Sequence, residues 1–172
     1  MPKTPVPAQS PQQVLNLLPP FPIVLVTTQK NIITVNQVAY FTFSPLRIGV
    51  AIAHSRYSYG LLKEEGEFVI NVPDAALIDV VKTCGTLSGR DTDKFQVTGM
   101  DAEAIDGMQA AGIAQCGAQI ACRVEREIDF ERRTWFVGRV IAARRQEGHQ
   151  GMGSLMCGRH EYVLPGTVIS AR

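Results

Sequence analysis

The 172-residue chain lacks most of the marks that assign a protein to a specialised class. It has four cysteines, Cys84, Cys116, Cys122 and Cys157, with no C-x2-C pair and no common zinc spacing. A zinc module is therefore not expected, and reduced thiols packed as small hydrophobes are. No apolar stretch approaches the roughly 18 residues a membrane span needs. The opening MPKTPVPAQSPQQ is rich in Pro and Gln and has no apolar centre of the kind a signal peptide carries. Seventeen Lys and Arg against sixteen Asp and Glu leave a net charge of +1, so there is no basic field for extended nucleic-acid binding. No G-x-G-x-x-G follows a strand, and GMGSLMCG at 151–158 has the wrong spacing, so no Rossmann site is signalled. A Walker A loop and a G-x-S-x-G elbow are missing too. His54, His149 and His160 are scattered, none beside an evident cysteine or carboxylate partner.

What remains is ordinary globular composition, 45% hydrophobic and 19% charged. The expectation is one cytoplasmic domain over 1–172, with 1–9 as a flexible arm. Ser10 and Pro11 suit an N-cap and first turn, and Val14, Leu15 and Leu18 follow at helical spacing up to Pro19-Pro20. Strands are expected at 22–29, across 32–43, at 46–53 and at 67–72, from their β-branched and apolar runs. A helix closed by Gly66 is expected within 54–66, and another from Asp74 to about Thr83. In 119–130, Ile120, Cys122, Val124 and Ile128 alternate with Arg123, Glu125 and Glu127. Glu131-Arg132-Arg133 then turns the chain into a returning strand at 134–145, and a last short strand is expected near Glu161–Leu164. Strands follow one another as hairpins with only short helices between. The fold class is therefore mainly β, an antiparallel barrel of Greek-key character.

Three polar clusters stand out. SGRDTDKF (88–95) places Ser88 three residues before Asp91, which resembles a capping box with Gly89 as first helical residue. Arg90 and Lys94 would then share a helix face, a repulsive spacing unless an anion lies between them. A helix N-terminus and two cations suit a phosphate; a capped, salt-bridged surface helix accounts for the same residues. In HSRYSYG, Arg56 and Ser58 again offer a guanidinium and a hydroxyl at an expected helix start, or simply an exposed connector. Thr27, Thr28, Asn31, Thr34 and Asn36 supply short donors and acceptors suited to the edge of a planar heterocycle such as a flavin, though Thr is also a good strand residue. Asn71, the lone polar residue in FVINV, is a strand-end hydrogen bonder or a ligand contact. Cys84 reads as a packed thiol whose pKa nearby cations would lower.

In order, NIITVNQ, HSRYSYGLLKEEGEFVINVP, TCGTLSGRDTDKF and TWFVGRV resemble the flavin reductase-like, FMN-binding split-barrel family, near its flavoredoxin branch, over roughly residues 20–145. The resemblance implies a six-stranded antiparallel split barrel, usually a homodimer, with non-covalent FMN. It implies that Asn31, Thr34 and Asn36 line the flavin, that Arg56 and Ser58 reach it, and that Ser88, Arg90 and Lys94 hold the phosphate, with Asn71 as a further contact. Asn36 stands where the family pattern has a small Ser, and the segment around Arg159-His160 is less typical. NADH or NADPH as reductant, and a redox protein or small molecule as acceptor, follow from the same resemblance. So does the rival reading of an FMN electron carrier with no nicotinamide site. A barrel that only binds a phosphate-bearing ligand is the third.

Overall fold

The computed structural model describes residues 5–149, 155–156 and 162–163. Along the chain run α1 (Pro11–Leu15), β1 (Phe21–Pro22), β2 (Val24–Thr27), β3 (Ile32–Val35), β4 (Val38–Phe43), β5 (Leu46–Ala53), α2 (Tyr57–Glu65), β6 (Glu67–Val72), α3 (Ile78–Thr86), α4 (Lys94–Thr98), β7 (Ala102–Glu103), β8 (Gly112–Ile113), β9 (Ala118–Phe130), β10 (Arg133–Arg145), β11 (Leu155–Met156) and β12 (Tyr162–Val163). A 3-10 turn over Ala75–Leu77, capped by the Asp74 carboxylate, leads into α3. The main sheet has seven strands in the order β3-β2-β6-β9-β10-β5-β4, every neighbouring pair antiparallel.

Six strands were expected, and the seventh comes from a break in 32–43. Asn36 and Gln37 divide that stretch into β3 and β4, which lie at opposite ends of the strand order. Three Cα steps, at most about 11 Å of chain, join Val35 to Val38. A sheet whose two ends are tied so closely must curl into a barrel. The backbone N–H of Ala51 in β5 bonds the Gln37 carbonyl at 3.0 Å and fixes the link to the wall.

Alternate residues of the curled sheet fill its interior. Val24, Val26, Ile33, Val35, Val50, Ile52, Phe68, Ile70, Cys122 and Phe136 form one buried cluster with Leu62 of α2. The opposite face of β2 and β3 is covered by α3, where Ile23, Leu25 and Ile32 meet Val81 and Cys84. Val69 and Ala121 are covered by the segment carrying Ile105 and Ala110. β2 and β6 are thus buried on both faces, which is why they read as continuous apolar runs rather than alternating ones. Glu67 fastens the covering segment: its carboxylate accepts from the backbone of Gln109 at 2.5 Å and Ala110 at 2.7 Å.

The long hairpin follows the expected bounds closely. One detail differs: Ile128 is 39% exposed although the alternation grouped it with the buried row. A register shift between Val137 and Gly138 gives β9 an extra residue there, and one extra residue moves every later side chain to the other face. Cys84, Cys116 and Cys122 are free and buried, as packed thiols should be; Cys157 and the Arg159-His160 pair lie outside the described residues. The last strand, β12, falls within the expected 161–164. No helix among the described residues is long and apolar enough to cross a membrane.

Candidate functional site

Two adjoining cavities open beside the N-terminus of α2. The first, about 180 Å³, is lined by Asn31, Ile33, Ser55 to Ser58, Cys84, Thr86 to Arg90 and Lys94. The second, about 290 Å³, lies along β3 and β5 and is lined by Ile33 to Asn36, Ala51 to Ala53, Ser55, Arg56 and Arg133. They share Ile33, Ser55 and Arg56. Asn31, Arg56, Ser58, Ser88, Arg90 and Lys94 therefore meet in one cavity, and Thr34 and Asn36 in the other.

Asn31 and Ser58 form the floor of the first cavity. The Asn31 Nδ2 donates to Ser58 Oγ at 2.7 Å, and both residues are buried. Having accepted there, the Ser58 hydroxyl keeps its own hydrogen for a further acceptor. Asn31 Oδ1 is buried without any partner. Unsatisfied buried acceptors are rare and costly, so this one marks a place for a donor. Arg56 is the N-cap of α2 and makes no side-chain cap, which leaves the helix end open toward the cavity.

Within SGRDTDKF, residues 88–93 form a tight connection, and the helix does not start at Gly89. Ser88 Oγ accepts from the Arg90 N–H at 3.2 Å and the Ser88 carbonyl from the Asp91 N–H at 3.3 Å, making a turn. The helix begins at Lys94, with Asp93 as its cap accepting from Gln96 at 3.1 Å. The expected capping box at Ser88 and Asp91 is thus replaced by Asp93 and Gln96. The physical reason is Gly89. A Cβ at that position would fall on the Asn31 amide, 2.5 Å from its carbon, so bare backbone packs here where a helix would lift it away.

Arg90 and Lys94 consequently do not share a face. Arg90 is exposed, its guanidinium carbon 5.7 Å from the Tyr57 ring centroid, a cation–π contact. Lys94 is only 3% exposed. Its Nζ donates to the carbonyls of Ile32 at 2.7 Å and Cys84 at 2.9 Å, which ties β3 to the end of α3. Burial lowers the Lys94 pKa, opposed in part by Cys84. Burial likewise pushes the Cys84 thiol up to about 11, and the lowering by Lys94 is the smaller effect. The expectation that cations would activate this thiol is reversed by desolvation.

Asn71 belongs to neither cavity. Its Nδ2 donates to the Leu25 carbonyl at 3.1 Å, and its Oδ1 accepts from the Ile113 N–H at 2.7 Å. It joins β2, β6 and β8, and the ligand-contact expectation is corrected to a strand hydrogen bonder. Thr27 is equally structural, donating to the Ala111 carbonyl at 2.6 Å. Thr34 lines the second cavity while its hydroxyl donates to the Val81 carbonyl at 2.5 Å.

Sequence reasoning missed Arg133. It heads β10, opposite Ala53 of β5, and its Nη1 donates to Gln37 Oε1 of the closing link. It also missed the partners of His54, whose Nε2 lies 2.9 Å from Asp129 Oδ1 and 3.0 Å from Thr134 Oγ1. A hydrogen bond from Thr134, then His54, holds the Asp129 carboxyl below its ordinary pKa. Among the described residues no carboxylate lines either cavity, and Arg56, Arg90, Lys94 and Arg133 have no carboxylate partner.

A family model described as "Flavin reductase like domain" matches residues 18–164. An uncharacterized protein of Archaeoglobus fulgidus is 38% identical over 111 residues, covering 64% of this chain and 63% of that one. An uncharacterized protein of Pyrococcus abyssi is 32% identical over 66% of this chain and 65% of its own length. The matched stretches thus span less than two thirds of those relatives. Among solved structures, flavoredoxin from Methanosarcina acetivorans superposes with a TM-score of 0.82 at 25% identity, over 88% of each chain. An FMN-binding protein from Thermus thermophilus superposes with a TM-score of 0.84 at 22% identity, over 100% of this chain and 98% of that one.

Proposed function

We propose, since the chain belongs to the flavin reductase like domain family, that it is an FMN-dependent oxidoreductase using NADH or NADPH as reductant. The observation that carries this reading is the pair of joined cavities, lined among the described residues by four cations and no carboxylate and floored by an unpartnered Asn31 oxygen. The residues fit a phosphate-bearing, heterocyclic cofactor. Ser58, its oxygen lone pair already engaged by Asn31, donates its hydrogen to a phosphate oxygen. Arg90 and Arg56 supply mobile charge at the rim, and Lys94 a fixed one within it. Gly89, with no Cβ, lets its backbone pack on the Asn31 amide and so fixes the floor against which the ligand sits. Asn31 Oδ1 accepts a ligand N–H or O–H. In the second cavity the Asn36 side chain offers both a donor and an acceptor to a ring edge.

FMN, when bound, supplies acceptance of a hydride and return of two electrons. The chain's residues bind, orient and set the charge around it, and none is required as a general base. Flavoredoxin among the structural relatives keeps the carrier reading in view, in which FMN is bound but no nicotinamide is used. A second copy of the chain is the expected partner. Tyr40 at 64% and Phe43 at 78% exposure, their ring centroids 4.9 Å apart, leave an apolar patch on β4 that a homodimer would cover. Buried free thiols suit a reducing compartment, and a cytoplasmic location is part of the proposal.

The test is a visible spectrum of the purified protein with added FMN, repeated after anaerobic NADH or NADPH. A bound-flavin spectrum that bleaches with the nicotinamide supports the reductase reading. Bound flavin that bleaches only with dithionite moves the function to a carrier. A protein that remains colourless after FMN and gel filtration overturns both.

A further inference from the structure

The charge in the two cavities exceeds what a phosphate neutralises. Arg56, Arg90 and Lys94 line the first, and Arg56 and Arg133 the second. A phosphate monoester carries about −1.5 to −2 at neutral pH. Seated against Arg56, Arg90 and Lys94, it leaves a surplus of about two positive charges around the ligand. Among the described residues no carboxylate lines either cavity: Asp93 turns to the Gln96 N–H as the cap of α4, and Asp129 to His54 and Thr134. Arg133 lines the second cavity and not the first, and it is pinned rather than loose, since Gln37 accepts from its guanidinium.

We infer that this site holds reduced FMN more tightly than oxidised FMN, and that Arg133 is a specificity-determining residue for that preference. The inference rests on the FMN reading above. The oxidised ring is neutral. When a nicotinamide donor gives it a hydride, two electrons and one proton pass together, the donor becomes the oxidised nicotinamide cation, and the ring becomes a monoanion. A surplus of positive charge in the second cavity stabilises the anion and does little for the neutral ring. The coupling is reciprocal, so tighter binding of the reduced form and a raised reduction potential are one quantity seen twice. A tenfold preference equals about 30 mV for a two-electron couple. The consequence concerns how electrons leave. A site that tightens on reduction keeps its flavin and must pass the electrons to an acceptor that comes to it. It is ill suited to dispensing free reduced flavin.

The test measures Kd for FMN before and after dithionite reduction under anaerobic conditions, and the midpoint potential of the bound flavin against a reference dye. The wild-type protein is expected to bind reduced FMN at least tenfold more tightly than oxidised FMN. Arg133→Gln should lower that ratio by about 3- to 10-fold, the effect of removing one partly solvated charge. Arg133→Lys, which keeps the charge, should retain most of it. Equal or weaker binding of reduced FMN by the wild type overturns the inference while leaving the FMN reading intact, and so does an unchanged ratio in Arg133→Gln. Should Arg133→Gln release FMN altogether, the wild-type ratio decides. Failure of the wild type to bind oxidised FMN removes the underlying reading and this inference together.

Discussion

Glycine-to-alanine exchange at two positions of this chain should have opposite signs. At Gly89 an added Cβ would meet the Asn31 amide 2.5 Å from its carbon, with Thr86 to Arg90 and Ser58 closing the surroundings. Asn31 is 2% exposed and hydrogen-bonded to Ser58, so it cannot swing aside as a surface side chain would. Over-packing of this kind costs about 1–3 kcal/mol. For a chain of this size each kcal/mol moves Tm by about 2–4 °C, giving a fall of roughly 2–12 °C. Relief by shifting the 88–91 turn would carry Arg90 off the cavity rim and weaken FMN binding by about one to two decades, the scale of a lost charge-assisted hydrogen bond. Gly60, in the middle of α2, has nothing within 4 Å of its would-be Cβ. Alanine there should stabilise by about 0.5–1 kcal/mol, through reduced backbone entropy in the unfolded chain. The assay is thermal melting of both variants without ligand, followed by fluorescence titration with FMN. A Gly89→Ala protein that melts within 1 °C of the wild type and keeps its FMN affinity would refute the close-approach argument.

Three further outcomes are expected. Asn31→Asp turns the Ser58 hydroxyl around, since the new carboxylate accepts its hydrogen. With the added negative charge, FMN affinity should fall by about 10- to 100-fold in a titration; unchanged affinity would show that Asn31 does not orient the hydroxyl. Lys94→Met leaves the carbonyls of Ile32 and Cys84 without their donor. It should lower unfolding free energy by about 2–4 kcal/mol in urea titration, and a loss below 1 kcal/mol would mean the bridge is dispensable. Stability should decline above pH 9. Folding raises the thiols from 9.0 to about 11 at Cys84 and about 12 at Cys116 and Cys122. A raised pKa gives stability that is complete below about pH 9 and is lost on the way to the folded value, at up to about 1.4 kcal/mol per pH unit for each thiol. Lys94, lowered by burial, works in the opposite sense below 10.5 and offsets part of one thiol. Urea midpoints at pH 7, 9 and 10 would show this, and a flat profile would contradict it.

The parts of the fold that were legible in the sequence are those where one physical pattern acts alone. The β9–β10 hairpin could be bounded because period-two alternation and the Glu131-Arg132 turn both point to it. The break between β3 and β4 was not visible, because β-prone residues flank Asn36 and Gln37 on both sides with no Gly or Pro to stop the run. Only the pairing of β3 with β2 and of β4 with β5 separates them. At the turn before α4 the chain offers two capping signals, Ser88 with Asp91 and Asp93 with Gln96. The choice is made by the contact of Gly89 with Asn31, which is 58 residues away in the chain and absent from any local pattern. The polar residues clustered at one cavity announced themselves by type and order. Asn71 announced itself equally well and turned out to serve the β-ladder, since a buried amide satisfies a backbone as readily as a ligand. Arg133 gave no signal: a basic residue in a hairpin turn is ordinary, and its reach to Gln37 depends on the register of β10 against β5.

The two-residue link at Asn36 and Gln37 has an evolutionary corollary. Surface connections usually accept insertions at small cost, since lengthening a loop adds little closure entropy. This one should not. Its shortness is what draws the sheet ends together, and the second cavity lies against it, with Arg133 held by one of its two side chains. Each inserted residue would let the seam part by up to about 3.5 Å and carry Gln37 away from the wall. Across descendants of this chain, length at 36–37 should therefore be kept more strictly than amino-acid identity, whereas the Ser44-Pro45 hairpin tip, remote from both cavities, is free to lengthen.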